Sequence, residues 1–175
     1  MIYQKKIFTK EECDKIIQIT NIIKKEEASN KYGLAHNLSV SFDEYKIEDT
    51  EANNWFMGRI KLFIENTSNI KLIKLNKDAH ILCYGINDGF AKHLDYDIQS
   101  SDPRIYTFGI LLNDDFEGGE FVLYNGGIET QLKKDIGNCY FFNAKIPHEV
   151  KKITNGKRYS LVIHIKNSEI KKGLL

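Results

Sequence analysis

His93 and Asp95 stand two positions apart in the run Phe90-Ala91-Lys92-His93-Leu94-Asp95-Tyr96-Asp97, after an apolar run over 79–84 and a turn-forming stretch over 85–89. On an extended chain, side chains at i and i+2 point to the same side, so an imidazole nitrogen and a carboxylate oxygen can reach one ion. Alone the pair is half a metal site, because surface loops produce His-x-Asp as well and Asp97 offers a competing carboxylate. A third ligand must come from elsewhere in the fold. His148, just after Pro147 and the aromatic run Cys139-Tyr140-Phe141-Phe142, is the candidate. Two histidines and one carboxylate make the facial set that suits non-haem Fe(II) and leaves positions open for other ligands. Zinc takes similar donors, so ligand type leaves the metal undecided.

Arg158 sharpens the question. It is one of only three arginines, with Arg59 and Arg104, and arginine is the residue that grips carboxylates in a bidentate fork. Ser160, Val162 and His164 follow it at period two, so no acidic residue shares that face of the strand. If the face is interior, a buried guanidinium needs an anion from outside the chain, because an unpaired buried charge is costly. A ligand carboxylate fills that role; a surface arginine beside Lys157 is the competing reading.

The elements that must position these groups follow from periodicity. Residues 9–25 read as a helix opened by a Thr9/Glu12 capping box, with Cys13, Ile16, Ile17 and Ile23 on its apolar face. Lys24 and Lys25 read as its solvated end. A second helix is expected over 49–66, burying Trp55, Phe56, Ile60, Phe63 and Ile64. Between them the signals are weak, with short extended pieces such as 37–42. From residue 70 onward the chain reads as strands over 70–75, 79–84, 106–112, 120–124, 128–132, 139–143, 148–154 and 158–165. Asn125-Gly126-Gly127 and Asn155-Gly156 read as hairpin turns. Helices come first and strands after, which argues for an α+β, mainly β sandwich or barrel and against a Rossmann-type sheet.

Composition narrows the classes. The 175 residues suffice for one domain, 42% are hydrophobic and 28% charged, and the net charge is +1. Without an overall basic field or an arginine–aromatic cluster, nucleic acid is not an expected partner. No apolar run approaches a membrane span and no signal peptide is recognised, so no membrane role is expected. Cys13, Cys83 and Cys139 are widely spaced and read as thiols of a reducing, cytoplasmic protein.

Taken in order, these segments resemble the Fe(II)- and 2-oxoglutarate-dependent dioxygenases, in particular the prolyl 4-hydroxylase-like branch. The likeness is carried by Ile81-Leu82-Cys83-Tyr84-Gly85, His93-Leu94-Asp95, Leu111-Leu112-Asn113, Gly118-Gly119-Glu120, Pro147-His148-Glu149-Val150 and Gly156-Lys157-Arg158-Tyr159-Ser160. It covers residues 70–166. The resemblance implies a single domain over 1–175, with a helical support region at 1–69 and a double-stranded β-helix, or jelly-roll, catalytic core at 70–167. It implies that His93, Asp95 and His148 hold Fe(II). Arg158 would pair with the distal carboxylate of 2-oxoglutarate, helped by Ser160 and Thr107, with Tyr84 reaching the cosubstrate near the metal. The cofactors implied are Fe(II), 2-oxoglutarate and O2, with ascorbate as an accessory reductant.

The reaction implied is hydroxylation of a C–H bond with release of succinate and CO2. Asp95 occupies the position that related halogenases leave to a halide, which favours hydroxylation over chlorination. Leu111 departs from members that carry a tyrosine there to help hold the distal carboxylate. A prolyl residue in a peptide or protein is the leading substrate. A free amino acid, a lysyl side chain or a small metabolite is the alternative, and a non-catalytic metal-binding jelly roll or a zinc-holding structural barrel are the rivals of other classes. The loop over 96–104 and residues 32–45 are expected at the substrate rim. Tyr96 and Trp55 are pocket candidates, with core packing favoured for Trp55. His80 and His164 are expected as core or cavity histidines, and His36 as a loop residue.

Overall fold

The computed structural model describes residues 2–21, 26–27, 43–47, 54–68, 70–73, 75 and 79–171. His36, Lys24, Lys25 and most of the 32–45 rim segment lie outside these residues. A seven-stranded antiparallel sheet forms the larger layer. Its strands run in the spatial order β1 (Ile2–Lys6), β10 (Asn138–Asn143), β6 (Arg104–Leu111), β13 (Arg158–Lys166), β4 (Ala79–Tyr84), β3 (Asp43–Ile47) and β2 (Glu26–Glu27). A four-stranded sheet orders β5 (Phe90–His93), β11 (His148–Val150), β8 (Phe121–Asn125) and β9 (Ile128–Gln131). Two short strands, β7 (Phe116–Gly118) and β12 (Ile153–Gly156), pair apart from both. The architecture is the mainly β jelly roll expected.

Period-two alternation divides the large sheet into two chemistries. On β13, Leu161, Ile163 and Ile165 face one side, and Ala79 and Ile81 on β4, Phe108 and Ile110 on β6, and Cys139 and Phe141 on β10 share it. Against that side pack α1 (Lys10–Gln18) through Cys13 and Ile16, and α2 (Asn54–Ser68) through Phe56, Ile60, Phe63 and Ile64. This is the main hydrophobic core. The opposite side carries Arg158, Ser160, Val162 and His164 from β13 with His80, Leu82 and Tyr84 from β4, and it faces the small sheet across a cavity.

The start of α1 forms as the sequence indicates. Thr9 Oγ1 accepts from the Glu12 N–H and the Glu12 carboxylate accepts from the Thr9 N–H, closing the capping box. Glu12 also takes Arg59 Nη1 at 2.7 Å, and the Arg59 guanidinium lies 4.9 Å over the Phe8 ring, tying the two helices together. Trp55 is 40% exposed and stacks edge-on against Phe8 and Phe56, so it packs at the helix surface, away from the cavity.

Four expectations need correction. Residues 70–75 form no strand among the described residues: Leu72 makes an isolated bridge to Ile170, with its N–H given to Glu65 Oε1, so the Glu65 side chain takes a bond that a ladder would use. The run 148–154 is two strands, β11 and β12, with a register irregularity between His148 and Val150. Asn155-Gly156 is not a hairpin turn. Both residues sit in β12, which pairs with β7, while β13 pairs with β4 and β6; long-range pairing overrides the local dipeptide signal. The N-terminal third is more than helical, because β1 and β3 extend the large sheet at its two edges. The Gly126-Gly127 turn does form as read: Asn125 pairs with Ile128, and φ values of 60° and 81° give the I′-like geometry that suits a two-residue hairpin.

Helix α2 meets the sheet through Phe63 and Phe108, whose rings lie 5.8 Å apart with Phe108 fully buried. Phe108→Ala is expected to cost about 3–5 kcal/mol as a large-to-small core change, with one cooperative transition retained in urea followed by circular dichroism. A cost under about 1 kcal/mol would show that the core tolerates loss of this contact.

Candidate active site

The three sequence-predicted ligands come together. His93 ends β5, His148 begins β11, and the two are direct partners across that antiparallel pair. Asp95 lies in the bend just past β5, where its N–H and that of Tyr96 both donate to Ala144 O. One ligand atom from each of His93, Asp95 and His148 lies within 4.8 Å of the others. The His93 Nε2 to Asp95 Oδ1 distance is 3.5 Å, and the His148 Nε2 to Asp95 Oδ2 distance is 3.3 Å. Each ring's Nδ1 faces a backbone carbonyl, Ala91 O at 2.8 Å and Ile146 O at 3.0 Å. A proton at Nδ1 would satisfy those carbonyls and leave each Nε2 as a lone-pair donor for an ion held between the rings and the carboxylate, the arrangement seen around metal-bound histidines. Donor type, burial and orientation therefore fit a divalent metal with open positions, of which Fe(II) is the expected case.

Asp95 is buried, and burial would raise its carboxyl; the His164 and His148 imidazoles outweigh that and hold it well below the usual carboxylate range. Thr107 donates its hydroxyl to Asp95 Oδ2 at 2.5 Å. Thr107 was expected with the cosubstrate. Its single hydroxyl hydrogen is committed to Asp95, so it cannot also be given to a cosubstrate carboxylate. For His148, burial lowers the imidazole, but the Asp95 charge dominates and raises it. For His164, burial lowers it and wins over Asp95.

His164 is the cavity histidine expected; what sequence reasoning missed is its contact with the Asp95 carboxylate. It pairs with Thr107 across β13 and β6, lies on the cavity wall, and puts its Nε2 3.5 Å from Asp95 Oδ1. It stays outside the three-residue ligand set and acts on the carboxylate. The signal was present as the period-two series Arg158, Ser160, Val162, His164. His80, opposite Val162, lines the same cavity. Tyr96 does not line that cavity; its ring lies under Lys145 Nζ at 4.4 Å.

Arg158 opens β13 opposite Tyr84 and is only 2% exposed. Its Nη1 donates to Ser160 Oγ at 2.9 Å, its guanidinium stands 5.6 Å from the Tyr84 ring centre, and its Nε has no hydrogen-bond partner among the described residues. No carboxylate within 4 Å neutralises it among those residues. Ser160 accepts from Arg158, so its own hydrogen is free to donate alongside the guanidinium. Tyr84, Arg158 and Ser160 line the same cavity as His93, Asp95 and His148. Phe90, stacked on His93 with ring centres 3.6 Å apart, and Phe121 supply apolar wall. Cys13 and Cys139 belong to the helix-side core, and burial pushes the Cys13 thiol up to about 12.

Known proteins share the family and the fold. The family model of the 2OG-Fe(II) oxygenase superfamily matches residues 79–166. A PKHD-type hydroxylase of Prochlorococcus marinus is 34% identical over 94 residues, which cover 51% of this chain and 42% of that protein; the chain thus spans less than half of that relative's length. Among solved structures, a Pseudomonas putida prolyl-4-hydroxylase superposes with a TM-score of 0.74 at 16% identity, covering 98% of this chain and 93% of the other. A prolyl hydroxylase of Trichoplax adhaerens, solved with a hypoxia inducible factor peptide fragment, gives 0.74 at 17% identity, covering 94% and 81%.

The Thr107–Asp95 bond has a measurable consequence. Thr107→Val keeps every ligand atom and the side-chain shape but removes the hydroxyl. Its affinity for Mn(II) or Co(II) is expected to fall about 10–100-fold by equilibrium titration, with the fold retained. Unchanged affinity would show that Asp95 is oriented without it.

Proposed function

Since the chain belongs to the 2OG-Fe(II) oxygenase superfamily, we propose that it is an Fe(II)- and 2-oxoglutarate-dependent hydroxylase acting on a prolyl residue in a peptide or protein. The observation that carries this reading is a cavity with a metal-type triad at one part of its wall and, at another, a buried guanidinium with no carboxylate partner among the described residues. A metal triad alone fits many reactions. The added cationic seat calls for a small ligand with an anionic end, and a 2-oxo dicarboxylate meets both ends.

His93, Asp95 and His148 hold Fe(II), and Arg158 with Ser160 binds the distal carboxylate of 2-oxoglutarate. When bound, the metal and cosubstrate supply the oxidative chemistry that couples conversion of O2 and 2-oxoglutarate to succinate and CO2 with hydroxylation of the substrate. The chain's own part is placement and exclusion. Thr107 and His164 fix the Asp95 carboxylate from two sides. Tyr84 lies beside Arg158 at the anion seat. Phe90, Phe121 and Val150 keep the walls apolar, which strengthens the charged contacts inside. Ascorbate is proposed only as an accessory reductant. A single domain is proposed, its core framed by β1 and β3.

The prolyl assignment rests on the neighbours named above; a free amino acid, a lysyl side chain or a small metabolite is the second reading. No helix among the described residues is long and apolar enough to cross a membrane. Cys13 and Cys139 lie in the buried core and form no disulfide among the described residues, in keeping with a reducing compartment, proposed here as the cytoplasm.

Two measurements test the reading. Arg158→Ala should weaken 2-oxoglutarate binding by at least about 10–100-fold, through loss of a charge-assisted pair, while leaving Mn(II) affinity within about threefold. Equal loss of both would indicate misfolding and remove Arg158 from the site. Succinate release by the Fe(II)-loaded protein, screened over proline-containing peptides, free amino acids and nucleosides, should rise selectively with the peptides. Tightly held zinc with no turnover would overturn the enzymatic reading.

A further inference from the structure

A second cavity, of about 120 Å3, lies beside the first, and Arg158, Tyr140 and Phe121 line both. Tyr140 comes from β10, buried, with its ring stacked on Phe121 at 4.5 Å between centres. It is paired across β6 with Gly109, and the pairing explains the glycine: a Cβ there would overlap the outer ring carbon and the hydroxyl of Tyr140. The tyrosine therefore lies across the neighbouring strand and shares with Arg158 the lining of both cavities. The far cavity is polar on its other side, where Lys133, Lys134 and Asn138 contribute to the lining.

We propose that Tyr140, seated over Gly109, sets the length of the cosubstrate: its hydroxyl joins Arg158 in binding the distal carboxylate, and its ring closes off the second cavity, which would otherwise admit a longer 2-oxo dicarboxylate. This rests on the cosubstrate seat proposed above and adds what bounds it. Burial raises the Tyr140 phenol, against the pull of Arg158, so the hydroxyl keeps its proton and can donate to a carboxylate. The five-carbon 2-oxoglutarate ends at the wall. The six-carbon 2-oxoadipate, one methylene longer, would push its distal carboxylate into Tyr140. With the ring removed, that carboxylate reaches the side of Arg158 that faces Lys133 and Lys134.

The test is anaerobic calorimetric binding of 2-oxoglutarate and of 2-oxoadipate to Mn(II)-loaded protein, with thermal unfolding to confirm that each variant is folded. Wild type should prefer 2-oxoglutarate. Tyr140→Phe keeps the wall and loses the hydroxyl, so 2-oxoglutarate should weaken about tenfold with no gain for 2-oxoadipate. Tyr140→Leu shortens the wall, so the preference for 2-oxoglutarate should shrink by a further tenfold or invert, roughly the discrimination that a pocket gains or loses per methylene. Mn(II) affinity should stay the same in all three. The inference is overturned if Tyr140→Phe binds 2-oxoglutarate as wild type does, or if folded Tyr140→Leu keeps the wild-type ratio. Wild-type protein that binds Mn(II) but neither dicarboxylate would overturn the cosubstrate seat itself, and this inference with it.

Discussion

Two opposite charges share one buried cavity and do not neutralise each other. Asp95 has imidazoles 3.3–3.5 Å away and the Thr107 hydroxyl, while Arg158 has a serine hydroxyl and the face of a tyrosine. A fold built for stability alone would pair them or replace both with apolar groups, because isolated buried ions lose several kcal/mol of hydration each. The large sheet keeps them apart. Arg158 and His164 lie six positions apart on β13, with His164 at the Asp95 end and Arg158 at the other, and both side chains reach into the one cavity between them. On the function proposed above, a ligand set with a cation at one end and an anion at the other would complete both charges.

Strand alternation makes this arrangement tolerable. Every second residue of β13 belongs to the helix-backed core, and the residues between them carry the site. A register slip of one residue would place Leu161 and Ile163 in the cavity and drive Arg158 and His164 into the core against α1 and α2, so apolar burial and site geometry are enforced by the same pairing. The helices and the edge strands β1 and β3 hold the wall on which the site's polar groups are mounted. The small sheet contributes fewer groups but places them tightly, with His148 flanked by His93 on one neighbour and Leu123 on the other.

This division explains what could be read from the residues alone. His93, Asp95, His148 and Arg158 carry rare chemistry at recognisable spacing, and the helices and most strands announce themselves by period. His164, Tyr140 and the role of Thr107 do not. A histidine in an apolar strand, a tyrosine among phenylalanines and a threonine in a β-branched run look like ordinary core until cross-strand partners are known. His164 gains its meaning from Thr107 opposite it, and Tyr140 from a glycine thirty-one residues away in sequence. Asn155-Gly156 shows the reverse: a strong local signal for a hairpin yields to pairing of β12 with β7, a partner the dipeptide cannot specify.

The rim follows a different rule from the interior. The loop after Asp95 is held at its base by the Tyr96 N–H to Ala144 O, and again where Asp102 accepts from the Ser168 hydroxyl and N–H. Between these anchors Asp97 and Ser100 close local turns on Gln99 and Asp102, so the backbone of the loop is internally bonded. Its apolar side chains are not: Leu94 is 51% and Ile98 83% exposed. Large aliphatic groups standing out from an anchored loop beside a metal-type triad offer contact area to an incoming chain at little entropic cost to the loop. On the function proposed above, the interior would select by charge and length, through groups that alternation fixes. The rim would select by shape, because no core packing constrains what Leu94 and Ile98 become.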